Sequence, residues 1–402
     1  MTSITIYYEI FFGGIIMAMS NFEFFNPTQL IFGKGSISML EKKLPRDKKI
    51  MVTFGGGNVK SNGVYDQVKN ALKGFSFIEF WGIEPNPKYE TLVKAIELGK
   101  KENIEFLLAV GGGSVLDGTK FIASGITYDG IPWDLILDNR KAKNSIPLAS
   151  VMTLPATGSE MNSGAVISRL ETAEKYPFFS QDNFPKFSIL DPEVTYSLPK
   201  FQVSCGVIDT FVHTVEQYLT FPVEALLMDR WAEGLLQTLK DIANDLMTEE
   251  TPNYETRSNF MLSATMALNG FIAMGVPQDW ATHMIGHEIT ALTGLTHGVT
   301  LAIVYPALLR VMKEDKMDKL LQYGARVWQI TIGTPEERAE QAIMKTEEFF
   351  HSLGIKTHLS DYKVERSVIE EIVRRFKDRK VKLGERQNID YTVIEKILNL
   401  AY

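Results

Sequence analysis

The sequence predicts an α/β half followed by an all-helical half, the two meeting near residue 198. Two observations carry that prediction. Up to that point short apolar runs alternate with helical stretches, the pattern of a parallel sheet covered on both faces. Beyond it, long segments of helical period dominate.

Taken in order, Phe22 to Phe32 alternates aromatic and polar residues around Asn26-Pro27, like a strand or hairpin entering a sheet. Lys48 to Phe54 reads as a short buried strand and runs at once into Gly55-Gly56-Gly57-Asn58, with a helix starting at Gly63. Phe75 to Phe80 is a further strand, and Pro85-Asn86-Pro87 breaks the chain before a helix from Tyr89 to Glu102. Ile104 to Val110 is the clearest central strand; it enters Gly111-Gly112-Gly113-Ser114, and a helix carrying Asp117 follows. Ile146 to Leu154, which includes Thr153, ends in the loop Pro155-Ala156-Thr157-Gly158-Ser159-Glu160. Lys175 and Tyr176 fall on a hairpin, and Phe187 to Leu190 precedes Asp191-Pro192. The helical half reads Val203 to Leu219, Glu224 to Met247, Asn253 to Asn269, Gln278 to Leu292, Val299 to Met312, Lys316 to Gln329 and Thr334 to Leu353. No internal repeat, low-complexity tract or long linker interrupts it.

Composition bounds the function. A net charge of −7 argues against nucleic acid or an anionic membrane surface as partner. The most basic run, Arg374 to Lys380, contains Asp378 and reads as a solvated helix face. The single cysteine, Cys205, excludes an intrachain disulfide and fits a reducing cytoplasm. The first 20 residues are apolar but broken by Glu9 and Gly13-Gly14, and they carry no basic residue. They fit neither a signal peptide nor a transmembrane helix. We expect residues 1–18 to be a non-native or disordered extension, read from a start codon upstream of the true one at Met17 or Met19; a purine-rich Gly13-Gly14 coding stretch would serve as the ribosome-binding sequence.

Two features carry chemistry. The strand–glycine–helix junctions at Gly55 to Asn58 and Gly111 to Ser114 let a backbone approach a pyrophosphate closely and offer it a helix N-terminus. Neither matches the GxGxxG fingerprint or a Walker A loop, but two in one α/β half point to a dinucleotide. The second feature is the histidine distribution. Of six histidines, four fall between His213 and His297. Asp209 and His213 are four apart, as are His283 and His287, so each pair lies on one helical face. Two such pairs from two helices can close a four-coordinate metal site. A lone histidine is more often a core or surface residue; the clustering argues otherwise.

From about Asn21 onward the chain resembles the iron-containing (group III) alcohol dehydrogenases, and most of all their butanol dehydrogenase and NADPH-dependent aldehyde reductase branch. The resemblance rests on the pattern FxNPTxxxFGKG, and on GGGSVLDGTKFIA, LPATGSEMNSGAVIS, GVIDTFVHTVEQYLT and GVPQDWATHMIGHEITALTGLTHG. It implies a Rossmann-like domain over 19–198 and an all-helical, metal-binding domain over 199–402, as in dehydroquinate synthase. It implies metal on Asp209, His213, His283 and His297, with His287 beside the nicotinamide as proton relay. It also implies nucleotide contacts at Gly111, Gly112, Gly113, Ser114, Asp117, Thr153, Thr157, Ser159 and Lys175, and a homodimer.

Chemistry then follows from charge. A divalent ion with one carboxylate and three neutral histidines stays net positive and polarises a carbonyl oxygen while a nicotinamide delivers hydride. Fe2+ and Zn2+ both suit those ligands. No acid stands between Phe54 and Asp66 to hold a ribose 2′-hydroxyl, whereas Lys60 is placed to meet a 2′-phosphate, which favours NADPH over NADH. Trp280, Phe271, Phe178, Phe179 and Met161 could line an apolar pocket for short-to-medium aldehydes. Two other readings stand against this one. A metal- and NAD-dependent cyclase or lyase of the same fold would need several Lys and Arg around the metal, and the segments flanking Asp209 and His283 to His297 have almost none. A non-catalytic nucleotide-binding protein would not need the complete ligand and glycine sets.

Overall fold

The computed structural model describes residues 18–402, so the expectation for residues 1–18 falls, apart from Ala18, outside the described part. Eight strands are present among the described residues: β1 (Gln29–Phe32), β2 (Ile50–Phe54), β3 (Phe77–Phe80), β4 (Phe106–Gly111), β5 (Leu148–Met152), β6 (Gly164–Arg169), β7 (Glu174–Phe179) and β8 (Phe187–Leu190). Six of them form one parallel sheet in the order β1-β8-β5-β4-β2-β3, while β6 and β7 pair as an antiparallel hairpin. Every residue of β2, β4 and β5 is buried, which is why these strands read as unbroken apolar runs. Helix Gly113–Ile126 packs on β4 and β5 and lies against helix Tyr89–Lys101. Glycines permit that approach: a Cβ at Gly125 would stand 2.3 Å from Ile96, and one at Gly99 2.3 Å from Ile126.

The strand order reverses at β2. From β2 the chain moves outward to β3, then returns to place β4 on the other flank of β2. The carboxyl ends of strands at such a reversal are where open α/β sheets bind ligands. Both glycine turns sit there, because Gly55 follows β2 and Gly111 ends β4.

The second half contains helices Lys200–Tyr218, Leu226–Thr248, Tyr254–Ala267, Ala281–Thr293, His297–Val311, Met317–Val327, Pro335–Ser352, Arg366–Arg379 and Tyr391–Leu400. Their boundaries have local causes. Thr334 and Glu337 form a reciprocal capping box with Pro335 in the first turn, and Gly294 ends helix Ala281–Thr293 in the left-handed conformation at φ 75°. Helix His297–Val311 is buried from Gly298 to Leu309, so it forms the centre of this core rather than a face of it. No helix of the described residues is long and apolar enough to cross a membrane.

Several expectations need correction. Only Gln29–Phe32 of the Phe22 to Phe32 stretch is a strand. Asn26 diverts the segment before it, its amide donating to the Met161 carbonyl at 2.7 Å and the Asn269 carbonyl at 3.2 Å. The basic run does lie on a helix, Arg366–Arg379 with Lys380 at its C-terminal cap, while the last helix, Tyr391–Leu400, was not anticipated. That run is not wholly a solvated face. Arg375 bonds the Ala173 carbonyl and the buried Glu288 carboxylate, and Arg379 bonds Glu288 too. Phe178 is fully buried, its ring edge-on to Phe121.

Candidate active site

Helix Lys200–Tyr218 presents Asp209 and His213 on one face, and helices Ala281–Thr293 and His297–Val311 bring His283 and His297 to the same point. The Asp209 Oδ1 atom lies 3.6 Å from His213 Nε2, 3.6 Å from His283 Nε2 and 3.7 Å from His297 Nε2. Asp209, His283 and His297 offer ligand atoms that are all within 4.8 Å of one another. These separations are too long for hydrogen bonds, yet Asp209 Oδ1 and His283 Nε2 are buried with no hydrogen-bond partner. A tetrahedral ion about 2.1 Å from each ligand separates neighbouring ligand atoms by about 3.4 Å, so an ion satisfies atoms that the fold leaves unpaired. His287 is not among the atoms around Asp209 Oδ1; its ring centroid stands 5.1 Å from that of His297 and 6.4 Å from that of His283.

Electrostatics separate the histidines. Burial pushes His213 down to about 4, against the pull of Asp209. Burial, reinforced by the Lys175 ammonium, holds His287 and His297 well below the usual range. Burial also opposes charge on His283, but Glu216 and Asp209 outweigh it and raise this imidazole to about 9. Burial alone would raise the Asp209 carboxyl; the facing His213 and His283 and Lys175 hold it below its ordinary value. Two neutral imidazoles, His213 and His297, and the Asp209 carboxylate thus present free lone pairs, whereas His283 must release a proton before it can accept an ion. Trp280 borders the cluster, its ring edge-on to His283 at 5.3 Å and to His213 at 6.2 Å.

On the sheet side, Gly112 is extended and Gly113 opens the helix that follows β4. Val115 and Leu116 donate their amides to the Gly112 carbonyl, which leaves the helix start itself to face the loop after β5. That loop is close: a Cβ on Gly113 would lie 2.4 Å from Thr157 Oγ1. Thr153 ties it to β4 by donating its amide to the Gly111 carbonyl at 2.9 Å. Ser159 donates to Asp117 at 2.7 Å, and the second Asp117 oxygen accepts the Val166 amide, so both side chains are engaged within the fold. Gly56 has open space around its α-carbon; Gly57 (φ 105°) turns the chain into the short helix begun by Asn58. Gly55 stands 3.3 Å from Val115 by the same measure, so the two glycine turns are neighbours. Lys175 is buried and donates to Asn86 Oδ1 at 2.9 Å, and burial draws it down to about 7 against Asp209 and Asp117. Lys60 places its ammonium 4.1 Å above the Trp81 ring. Of the other pocket candidates, Phe271 packs edge-on against Phe24 and Phe179 is exposed.

Three participants escaped the sequence reading. Asn86 donates its amide to Ser114 Oγ at 3.2 Å and accepts from Lys175, which links the glycine turn to the histidine side. Lys120, fully buried, donates to Ser159 and to the Gly164 carbonyl and clamps the loop after β5. Glu216 holds His283 Nδ1. Only Glu216 left a signal, seven residues after Asp209 on the face that carries His213.

A parallel sheet with glycine turns at its reversal point, facing one carboxylate and three imidazoles from a helical half, defines a nucleotide- and metal-using enzyme. The chain belongs to the iron-containing alcohol dehydrogenase family. Residues 27–192 match the iron-containing alcohol dehydrogenase domain, and residues 203–402 match the C-terminal domain of that family. The chain is 51% identical to the NADPH-dependent aldehyde reductase YqhD of Escherichia coli, over 95% of this chain and 100% of that protein. It is 38% identical to NADH-dependent butanol dehydrogenase A of Clostridium acetobutylicum, over 88% and 92% of the two chains. The crystal structure of YqhD superposes with a TM-score of 0.94, covering 96% of this chain and 100% of that one at 50% identity. NADH-dependent butanol dehydrogenase A of Thermotoga maritima superposes with a TM-score of 0.91, covering 96% and 99% at 34% identity.

Proposed function

We propose that this metal-dependent alcohol dehydrogenase and aldehyde reductase works chiefly as a reductase of short-to-medium aldehydes, with NADPH as hydride donor. In this reading residues 19–198 bind the nucleotide, and Asp209, His213, His283 and His297 from residues 199–402 hold a divalent ion. The observation that carries it is the buried Asp209 oxygen with three imidazole Nε2 atoms 3.6–3.7 Å away.

When bound, the ion supplies Lewis acidity toward a carbonyl oxygen and the reduced nicotinamide supplies hydride. The chain's residues do the rest. His213 and His297 are kept neutral by burial and so present lone pairs. His287, also kept neutral and with Nδ1 buried and unpartnered, can pass a proton toward the product oxygen. Trp280 shields the cluster from water on one side. The Gly113 and Ser114 amides at the helix start, with the loop through Thr157, receive the pyrophosphate. Lys60, exposed after the Gly55 to Asn58 turn with no acid inside that turn, supports recognition of a 2′-phosphate. The relatives' names divide on this point, YqhD being NADPH-dependent and the butanol dehydrogenases NADH-dependent. Iron is our choice of metal because the family is named for it, while the ligand set accepts zinc equally. We place the enzyme in the cytoplasm as a homodimer.

The test follows loss of reduced-nicotinamide absorbance with butanal after stripping metal and restoring Fe2+ or Zn2+ separately, with NADH as control. Metal-dependent consumption with a preference for NADPH is expected. Consumption of neither cofactor with any aldehyde would refute the proposal.

A further inference from the structure

We propose that Glu216 is a positioning residue for the metal centre, holding His283 with its Nδ1 proton toward the carboxylate so that Nε2 is committed to the ion. This rests on the reading of the Asp209 cluster given above.

Glu216 follows Asp209 by seven residues and His213 by three, so one face of helix Lys200–Tyr218 carries all three. Its side chain has no solvent exposure. Its Oε2 bonds His283 Nδ1, its Oε1 accepts the Thr282 amide at 2.6 Å, and its main-chain carbonyl accepts the Asp279 amide at 2.8 Å. One residue thus grips the first turn of the His283 helix at three points. That turn needs gripping, because Trp280 adopts the left-handed conformation (φ 64°, ψ 5°), which a bulky residue keeps only where its surroundings impose it. The grip extends outward: Asp279 caps the helix through the Ala281 amide at 3.0 Å and pairs with Lys316 at 2.9 Å. Lys316 also bonds Glu385 and the Leu219 carbonyl.

No lysine or arginine pairs with Glu216 among the described residues; its polar partners are the His283 imidazole and backbone groups. A buried carboxylate without a cation is strongly disfavoured, and the compensating charge available here is the one that reaches it through His283. An imidazole between a carboxylate and an ion is a more basic ligand with a fixed tautomer, and such carboxylates typically change metal affinity by about 10–100-fold.

The test variant is Glu216→Gln, which keeps the shape but offers one acceptor oxygen where two donors, His283 Nδ1–H and the Thr282 amide, require one each. Zinc affinity measured against a competing chelator is expected to fall about 10–100-fold. NADPH binding should be unchanged, kcat should recover as free metal is raised, and the visible spectrum of the cobalt-substituted variant should shift. Wild-type metal affinity with an unaltered cobalt spectrum overturns the proposal. Should the variant not fold, long-range proton–nitrogen spectra of the zinc-loaded wild type decide: a proton on His283 Nδ1 supports it, and a proton on Nε2 overturns it. A wild type that binds no metal would instead refute the reading of the centre itself, before any variant is made.

Discussion

The glycine turn after β4 makes a prediction whose size can be worked from the structure. In Gly113→Ala the new Cβ would lie 2.4 Å from Thr157 Oγ1, 2.5 Å from Thr157 Cγ2 and 3.0 Å from Thr157 Cβ. Ordinary contact begins near 3.4 Å, so the helix start and the loop must separate by roughly 1 Å. Neither has room. Helix Gly113–Ile126 is buried along almost its whole length. The loop is backed at Gly158 by the Ala264 carbonyl and Leu268, and clamped beyond by Lys120. Forced overpacking of this kind costs about 1–3 kcal/mol. The strain falls on the amides proposed to receive the pyrophosphate, so NADPH affinity should drop about tenfold, within the range that such an energy spans. Thr157→Ala, which removes the two nearest atoms, should restore part of the loss in the double variant. Fluorescence titration with NADPH and thermal unfolding of the four proteins measure both terms. A Gly113→Ala enzyme with wild-type affinity and stability would refute the placement of the cofactor against this turn.

His283→Ala should abolish turnover and most metal binding while NADPH still binds, as shown by metal analysis alongside fluorescence titration. Lys60→Ala should weaken NADPH about tenfold, the worth of one charge-assisted contact, and leave NADH unaffected; comparison of the two dissociation constants checks it. For Lys175, whose folded pKa lies near 7 against an ordinary 10.5, the folded chain binds fewer protons than the unfolded one between those values. Stability of the metal-free protein relative to Lys175→Met should therefore rise with pH across that window and reach its lowest value below it. Denaturant titrations at several pH values would show the slope, and a flat or falling difference would count against burial of the charge.

Much of the fold was legible because its signals are local. Parallel strands such as Phe106–Gly111 are buried on both faces and so appear as plain apolar runs bounded by glycine. Helices such as Pro335–Ser352 carry their own capping boxes. The Phe22 to Phe32 stretch misled because its aromatics are not packed as a sheet; Phe22 and Phe25 remain largely exposed while Asn26 bonds to distant carbonyls. Arg375 looked like a solvated charge for a similar reason, since its partner Glu288 is 87 residues away in sequence.

The site shows where sequence spacing stops being informative. His283 and His287 have the same four-residue spacing as Asp209 and His213, yet only His283 meets the Asp209 oxygen. The reason is how two helices meet. Helix Ala281–Thr293 is tied to helix Lys200–Tyr218 by its first turn, through Glu216 and the Thr282 amide. His287, four residues on, is carried about 6 Å further along the axis, one helical turn beyond that contact. The place that periodicity offers to His287 is taken instead by His297, delivered from the start of the next helix after the turn at Gly294. Spacing therefore tells which side chains share a face, while the position along that face at which a second helix docks decides which of them can share an ion. Here that docking point is held by Glu216 and the Asp279–Lys316 pair behind it, while the side chains paired with Asp209 are the three histidines.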